Sequence, residues 1–125
     1  MSFFQQSCKP LAKALVGKTL KVGEKSFQIL KAEGYPRKDN EKGIYAPILE
    51  MRPGTVYCPP HRGGLLFLIA CLDGQGPGGC VLIREVSLDG AVIKGPGRVT
   101  EALGIVEPKS EGRCTEAKES LNLHM

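Results

Sequence analysis

Glycine and proline are the feature of this sequence that most limits its fold. They occupy 16 and 9 of the 125 positions, which is a fifth of the chain. Glycine weakens helices and proline breaks them, whereas both are common in the turns between strands. This content argues against a helical bundle and favours short strands joined by turns. The length of the chain matches that of one domain.

Composition and segment lengths argue against two other classes of protein. Hydrophobic residues make up 42% of the chain and charged residues 24%, a profile typical of a globular protein. The longest uncharged apolar run, Gly63–Leu72, is much shorter than the ~20 residues that cross a bilayer. The first residues, MSFFQQSCKPLAK, lack the basic-then-apolar plan of a signal peptide. We therefore expect neither a membrane protein nor a secreted one.

Cysteine content and charge bear on the compartment and on the partner. The five cysteines have no repeated spacing and no signal peptide precedes them, which predicts reduced thiols inside a cell. The net charge is +4, from 17 basic and 13 acidic residues. This charge permits contact with a polyanion such as a nucleic acid without requiring it.

The first third of the chain predicts a helix and a hairpin. Residues Leu11–Val16 place apolar side chains at helical spacing, between a proline and a glycine. The alternating segment Lys18–Val22 and the segment Ser26–Lys31 are joined by a turn and predict two antiparallel strands. The polar residues Gly34–Gly43 predict an exposed loop.

Further strands are predicted where apolar runs lie between turn residues, at Thr55–Tyr57, Leu65–Leu72 and Cys80–Val86. A Gly-Pro-Gly turn leads into a short helix, Arg98–Leu103. Together these elements predict an α+β single domain at residues 1–106, with a curved, mostly antiparallel sheet and short flanking helices. The polar residues 107–125 lack apolar periodicity and predict a flexible tail.

Three features carry side chains suited to chemistry or binding. Glu33 and Tyr35 are two residues apart on a predicted strand and share a face, although an ordinary surface pair is the alternative. Arg84, in an apolar strand, requires water or a carboxylate such as Glu33. Its alternative is an edge strand with Arg84 facing outward beside Glu85. Arg98 follows a glycine at a helix start, an arrangement that can hold a phosphate but is more often only a turn.

Four side chains have the chemistry of zinc ligands, namely Cys58, His61, Cys71 and Cys80. Only Cys58 and His61 form a close pair, and the other two fit apolar strands. The glycine-rich residues Gly74–Gly79 join two predicted strands rather than a strand and a helix, so they predict a turn. We expect no metal site and no cofactor.

Five short segments, read in order, resemble the alkyladenine (3-methyladenine) DNA glycosylase family. They are LAKALVGKTL from Leu11, ILKAEGY at Ile29–Tyr35, RPGTVY at Arg52–Tyr57, GCVLIREV at Gly79–Val86 and GPGRVTEALGI at Gly95–Ile105. Their order, and nearly their spacing, follow the family from about residue 8 to about residue 106, and such motifs are hypotheses until the structural context agrees. The resemblance makes residues 1–106 a glycosylase-like domain, diverged and truncated at the carboxyl terminus.

The resemblance implies an enzyme of base excision repair. Such an enzyme flips an alkylated or deaminated purine out of duplex DNA and hydrolyses its N-glycosidic bond, without a metal or cofactor. It implies Glu33 as the general base that activates water, Arg84 as the residue that helps to hold that water, and Tyr35 as a ring that stacks on the extruded base. We further expect a monomer, nuclear in a eukaryote and cytoplasmic in a bacterium.

The sequence departs from the family at several positions. The family's pocket histidine is replaced by the segment Gly43-Ile44-Tyr45, in which Tyr45 is a candidate stacking surface. The family's wedge tyrosine aligns with Arg62-Gly63 in an ungapped match and with Gly64 in a match run backward from Cys80. Arg62 and Arg98 are further candidate DNA contacts. These departures favour an alternative, a catalytically impaired homologue that binds DNA or another protein. A small interaction module with no affinity for DNA is a third hypothesis.

Overall fold

The computed structural model describes residues 3–107, 109–117 and 120–124. Its helices are α1 (Cys8–Leu15), α2 (Arg37–Asn40) and α3 (Pro96–Ala102), and a 3₁₀ segment spans Gly43–Glu50. Its strands are β1 (Thr19–Val22), β2 (Lys25–Tyr35), β3 (Thr55–Cys58), β4 (Pro60–His61), β5 (Gly64–Leu65), β6 (Leu68–Asp73), β7 (Gly76–Leu88), β8 (Ala91–Lys94), β9 (Lys109–Ala117) and β10 (Ser120–His124). Within these described ranges, every helix is too short or too polar to cross a bilayer.

Seven of the strands close into a barrel. They are hydrogen-bonded in the order β2-β1-β10-β9-β3-β6-β7, and β7 pairs again with β2 to complete the ring. The barrel is mixed, because β1 and β10 are parallel whereas the other pairs are antiparallel. Outside the ring, β8 pairs with β7, and β4 and β5 form a hairpin of their own.

The sequence predicted the fold class correctly but not every element. The α+β, mostly β class is confirmed, and the β1–β2 hairpin lies where it was expected. The loop predicted at Gly34–Gly43 is wrong at its start, because β2 continues to Tyr35 and α2 follows. The turn predicted at Gly74–Gly79 is also too long. Its last four residues belong to β7, where Gly79 packs against the backbone of Leu72 with no room for a side chain.

The carboxyl-terminal residues correct the prediction of a tail without regular structure. Strand β9 pairs with β3 and β10, and β10 pairs with β1, so both strands are part of the barrel. The side chains of Cys114, Leu121 and Leu123 are buried in the main core. The alternation of Leu121 and Leu123 with polar residues is the period-two pattern of a strand with one buried face.

The hydrophobic residues form two clusters on opposite faces of the sheet. The larger cluster fills the barrel and includes Leu11 of α1, Phe27 of β2 and Ile83 of β7. The smaller cluster lies on the outer face of β6 and β7, where Leu68 and Leu82 pack with residues of the 3₁₀ segment and the β5–β6 connection. Because neighbouring strand residues point to opposite faces, β6 and β7 contribute to both clusters.

The cysteines are buried as free thiols, in agreement with the strand positions predicted for Cys71 and Cys80. Burial raises the pKa of Cys58, Cys80 and Cys114 from 9.0 to about 12, and it raises the pKa of Cys71 further. The neutral thiol is the form that an apolar interior accepts, so these groups stay protonated in the folded chain.

These thiols predict that the protein is destabilised by alkali. Between pH 9.0 and about 12, Cys58, Cys80 and Cys114 hold more protons in the folded state than in the unfolded state. The free energy of unfolding therefore falls as the pH rises, by at most about 1.4 kcal/mol per pH unit for each thiol. We predict that the urea midpoint, followed by circular dichroism, is constant from about pH 7 to 8 and falls above pH 9.0. A Cys114→Ala variant should show a shallower decline, and an unchanged midpoint throughout the alkaline range would contradict the prediction.

Candidate active site

The candidate site lies on the outer face of the barrel, where β2 pairs with β7. On β7, Ile83 is buried in the main core, which places Arg84 on the outer face. On β2, Ala32 packs against the same core, which places Glu33 and Tyr35 on the outer face. The pairing that closes the barrel thus brings together side chains that are about fifty positions apart in sequence.

Arg84 occupies an irregular point of this pairing. The register pairs Lys31 with Glu85 and Ala32 with Ile83. Arg84 is therefore the extra residue of β7 at this point. A β-bulge of this kind bends its strand and changes the direction of a side chain. On its other side β7 pairs with β6 and β8. The alternative of an edge strand is therefore wrong, whereas its outward orientation of Arg84 agrees with the structure.

Glu33, Arg84 and Tyr35 form one hydrogen-bonded group. The Nε atom of Arg84 lies 3.3 Å from Oε1 of Glu33, and its Nη1 atom donates to Oε2 at 3.4 Å. The hydroxyl of Tyr35 donates to the same Oε2 at 3.0 Å. The side chains of Arg84 and Glu33 are 35% and 41% exposed, so the group is open to water and to a ligand. Glu33 is the partner that the sequence analysis proposed for Arg84.

A cleft of about 430 Å³ opens beside this group. Tyr35, Tyr45 and Arg84 line it, together with His61 and Arg62 of the β4–β5 hairpin and the first residues of α3, Pro96 and Gly97. Its size lies within the range of small-ligand sites. The charged side chains that line it are basic, and Glu33 contacts two lining residues without lining the cleft itself. The cleft therefore suits a ligand that carries negative charge.

The two tyrosines of the cleft stack on each other. Their ring centroids are 5.8 Å apart and the ring planes differ by 21°. A purine inserted between them would need ~7 Å, twice the ~3.4 Å between stacked bases. A base would therefore stack on an outer face of this pair. Burial, and then the hydrogen bond to Glu33, raise the pKa of Tyr35 to about 12, and burial also raises the pKa of Tyr45.

The β4–β5 hairpin carries Arg62 at its tip. Its two-residue turn has φ angles of 49° at Arg62 and 82° at Gly63, and positive values at both positions are what a type I′ turn requires. Glycine and asparagine adopt this region readily, whereas a residue such as arginine is strained there by about 1 kcal/mol or more. The turn does not need an arginine, and this exposed side chain lines the cleft.

Arg98 and His61 differ in their position relative to the cleft. Arg98 is exposed on α3 and borders a different depression, with Ile93 and Glu101, so the structure does not bring it to the cleft. His61, which has the chemistry of a zinc ligand, lies in the cleft wall beside Arg62. Within the described part of the chain, no three side chains of metal-ligating type are grouped to hold a metal ion.

Asn40 is a buried polar residue for which the sequence shows no functional pattern. Its Nδ2 atom donates to the carbonyl of Tyr35 at 3.1 Å and to the carbonyl of Gly78 at 2.7 Å, and its Oδ1 atom accepts from the thiol of Cys80 at 3.7 Å. These hydrogen bonds of Asn40 connect α2 to the end of β2 and to the first residues of β7. Its position in a polar segment gave no signal of this role.

Gly34 lies between the two site residues of β2 and faces α1. A Cβ atom at this position would lie 2.5 Å from the carbonyl oxygen of Cys8, which is far inside van der Waals contact. The absence of a side chain lets the first turn of α1 pack directly on β2. This packing fixes the strand that carries Glu33 and Tyr35.

We predict that Gly34→Ala destabilises the protein by about 2–3 kcal/mol, because the added methyl group forces α1 away from β2. The matched control is Gly76→Ala, also in a strand, where a Cβ atom would meet nothing within 4 Å. Urea unfolding followed by circular dichroism measures both variants. Equal midpoints for the two variants would contradict the role assigned to Gly34.

The structure thus brings Glu33, Tyr35, Tyr45, Arg62 and Arg84 to one region of the surface. No protein-family model matches the sequence, and no curated protein matches it significantly. The resemblance to the alkyladenine DNA glycosylases therefore rests on the five sequence segments.

Proposed function

We propose that this protein is a DNA glycosylase-like enzyme that acts on an alkylated or deaminated purine flipped out of duplex DNA. The observation that carries the proposal is the carboxylate of Glu33, held by Arg84 and Tyr35 beside an open cleft with aromatic and basic walls. The five segments that resemble the glycosylase family support the same function, and they include all three residues.

In the proposed reaction, a water molecule held by Glu33 and Arg84 attacks C1′ of the flipped nucleotide. The C1′–N bond breaks and its electron pair passes to the purine nitrogen. The water oxygen bonds to C1′, and the water proton passes to Glu33, which then releases it to the departing base or to solvent. A carboxylate suits this step, because it accepts the proton and also stabilises the positive charge that develops on the sugar.

The cleft offers two kinds of contact to a flipped nucleotide. The outer face of the Tyr35–Tyr45 pair gives a stacking surface, which suits a damaged base because stacking does not depend on one pattern of hydrogen bonds. Arg62, Arg84 and His61 supply basic groups near the rim and wall. The net charge of +4 favours the approach of duplex DNA.

A second candidate function is DNA or protein binding without catalysis. It is favoured by the position of Glu33, which does not line the cleft, and by its oxygens, which already accept bonds from Arg84 and Tyr35. The segment Gly43–Tyr45, which replaces the family's pocket histidine, points in the same direction. Binding to duplex DNA with a steep salt dependence and no base release would favour this alternative.

We predict that Glu33→Gln abolishes the release of hypoxanthine or 1,N6-ethenoadenine from a duplex oligonucleotide. The amide keeps the size and polarity of the side chain but cannot accept the water proton. Base release is measured under single-turnover conditions and duplex affinity by fluorescence anisotropy, and we expect the affinity to be largely retained. Base release by Glu33→Gln at the rate of the unaltered protein would contradict the assignment.

We predict that Arg62→Asn weakens duplex binding while leaving the fold at least as stable. Asparagine adopts positive φ more readily than arginine, which removes strain, whereas the lost charge removes a phosphate contact. The salt dependence of binding should decrease by about one unit of slope. The comparison variant is Arg98→Gln, which removes a charge outside the cleft and should change affinity less. A larger loss in Arg98→Gln would place the DNA contact on α3 instead.

A further inference from the structure

We infer that the hydroxyl of Tyr35 positions Glu33, so that Oε1 is the oxygen that accepts the hydrogen bond and then the proton of the reacting water. This role is distinct from stacking, which needs only the ring of Tyr35. The inference rests on the proposed function, because it concerns the carboxylate of the same site.

The contacts of the Glu33 carboxylate leave its two oxygens in different situations. An ionised carboxylate has about four lone-pair directions, two on each oxygen. Oε2 of Glu33 accepts from the Tyr35 hydroxyl at 3.0 Å and from Nη1 of Arg84 at 3.4 Å. Oε1 is contacted by Nε of Arg84 at 3.3 Å. Among the described residues, two donors occupy Oε2 and one contacts Oε1, so an acceptor direction of Oε1 is left for water.

Tyr35 is held in place more firmly than Glu33. The ring of Tyr35 stacks on Tyr45, and its carbonyl accepts a hydrogen bond from the buried amide of Asn40. The side chain of Glu33 is half-exposed and has more rotatable bonds than that of Tyr35, and its carboxylate is held by Tyr35 as well as by Arg84. Since a small displacement of a catalytic group slows a reaction strongly, a fixed hydroxyl that holds one carboxylate oxygen has a direct effect on rate.

The two roles of Tyr35 separate in the variant Tyr35→Phe, which keeps the ring and removes the hydroxyl. We expect its single-turnover rate of hypoxanthine release to fall about tenfold, the loss expected for one hydrogen bond to a charged group. Its affinity for the damaged duplex should not change. The matched control is Tyr57→Phe, which also removes a tyrosine hydroxyl, but from a residue of β3 that does not line the cleft. We expect the rate and affinity of this control to equal those of the unaltered protein.

A second measurement tests the hydrogen bond without any activity. The sequence contains three tyrosines and no tryptophan, so a protein labelled with ¹³C at the tyrosine Cζ gives three signals. At neutral pH, Glu33→Gln should shift the Tyr35 signal, because the carboxylate that accepts its hydrogen bond is lost. The signal of Tyr57, on β3, serves as the internal reference and should stay in place.

The outcomes distinguish the inference from the proposed function. A slower Tyr35→Phe with unchanged affinity supports the inference, whereas a Tyr35→Phe rate equal to that of the unaltered protein overturns it and leaves the proposed function standing. If the unaltered protein releases no base, the proposed function is wrong. The ¹³C-labelled protein then tests separately whether the Tyr35 hydroxyl positions Glu33. A shift of the Tyr35 signal in Glu33→Gln then supports the positioning of Glu33, and an unmoved signal overturns it.

Discussion

The pairing of β2 with β7 is the constraint on which both the barrel and the site depend. It closes the ring of seven strands, which pairs both edges of the sheet with each other. The same pairing sets the carboxylate of Glu33 against the guanidinium of Arg84. A shift of one residue in this register would turn the outer-face side chains toward the core. The burial of Ile29 and Ile83 on the inner face therefore fixes the positions of Glu33 and Arg84 on the outer face.

The sequence predicted the parts of this arrangement that depend on local patterns. The period of two places Glu33 and Tyr35 on one face, and the need of Arg84 for a partner inside an apolar strand singled out a carboxylate. The turn residues predicted the fold class correctly. These inferences needed only the period of one strand and the chemistry of a charge within an apolar segment.

The sequence could not predict the parts that depend on distant packing. Closure of the barrel requires β10 to pair in parallel with β1, and that pairing joins the two ends of the chain. The burial of Asn40 depends on carbonyls of Tyr35 and Gly78, which lie on different strands. The exclusion of Arg98 from the cleft follows from the orientation of α3 on the barrel. None of these contacts has a pattern within a single segment.

Several features of the site cost stability or add little to it, and they lie together. A half-exposed ion pair such as Glu33–Arg84 contributes at most about 1 kcal/mol. The bulge at Arg84 interrupts a ladder, and the positive φ of Arg62 strains a turn that glycine or asparagine would satisfy. Sequences break local rules of this kind mainly where a ligand or a reaction requires it. Their concentration around one cleft argues that this face of the barrel is adapted to a function, whatever ligand it takes, rather than to folding.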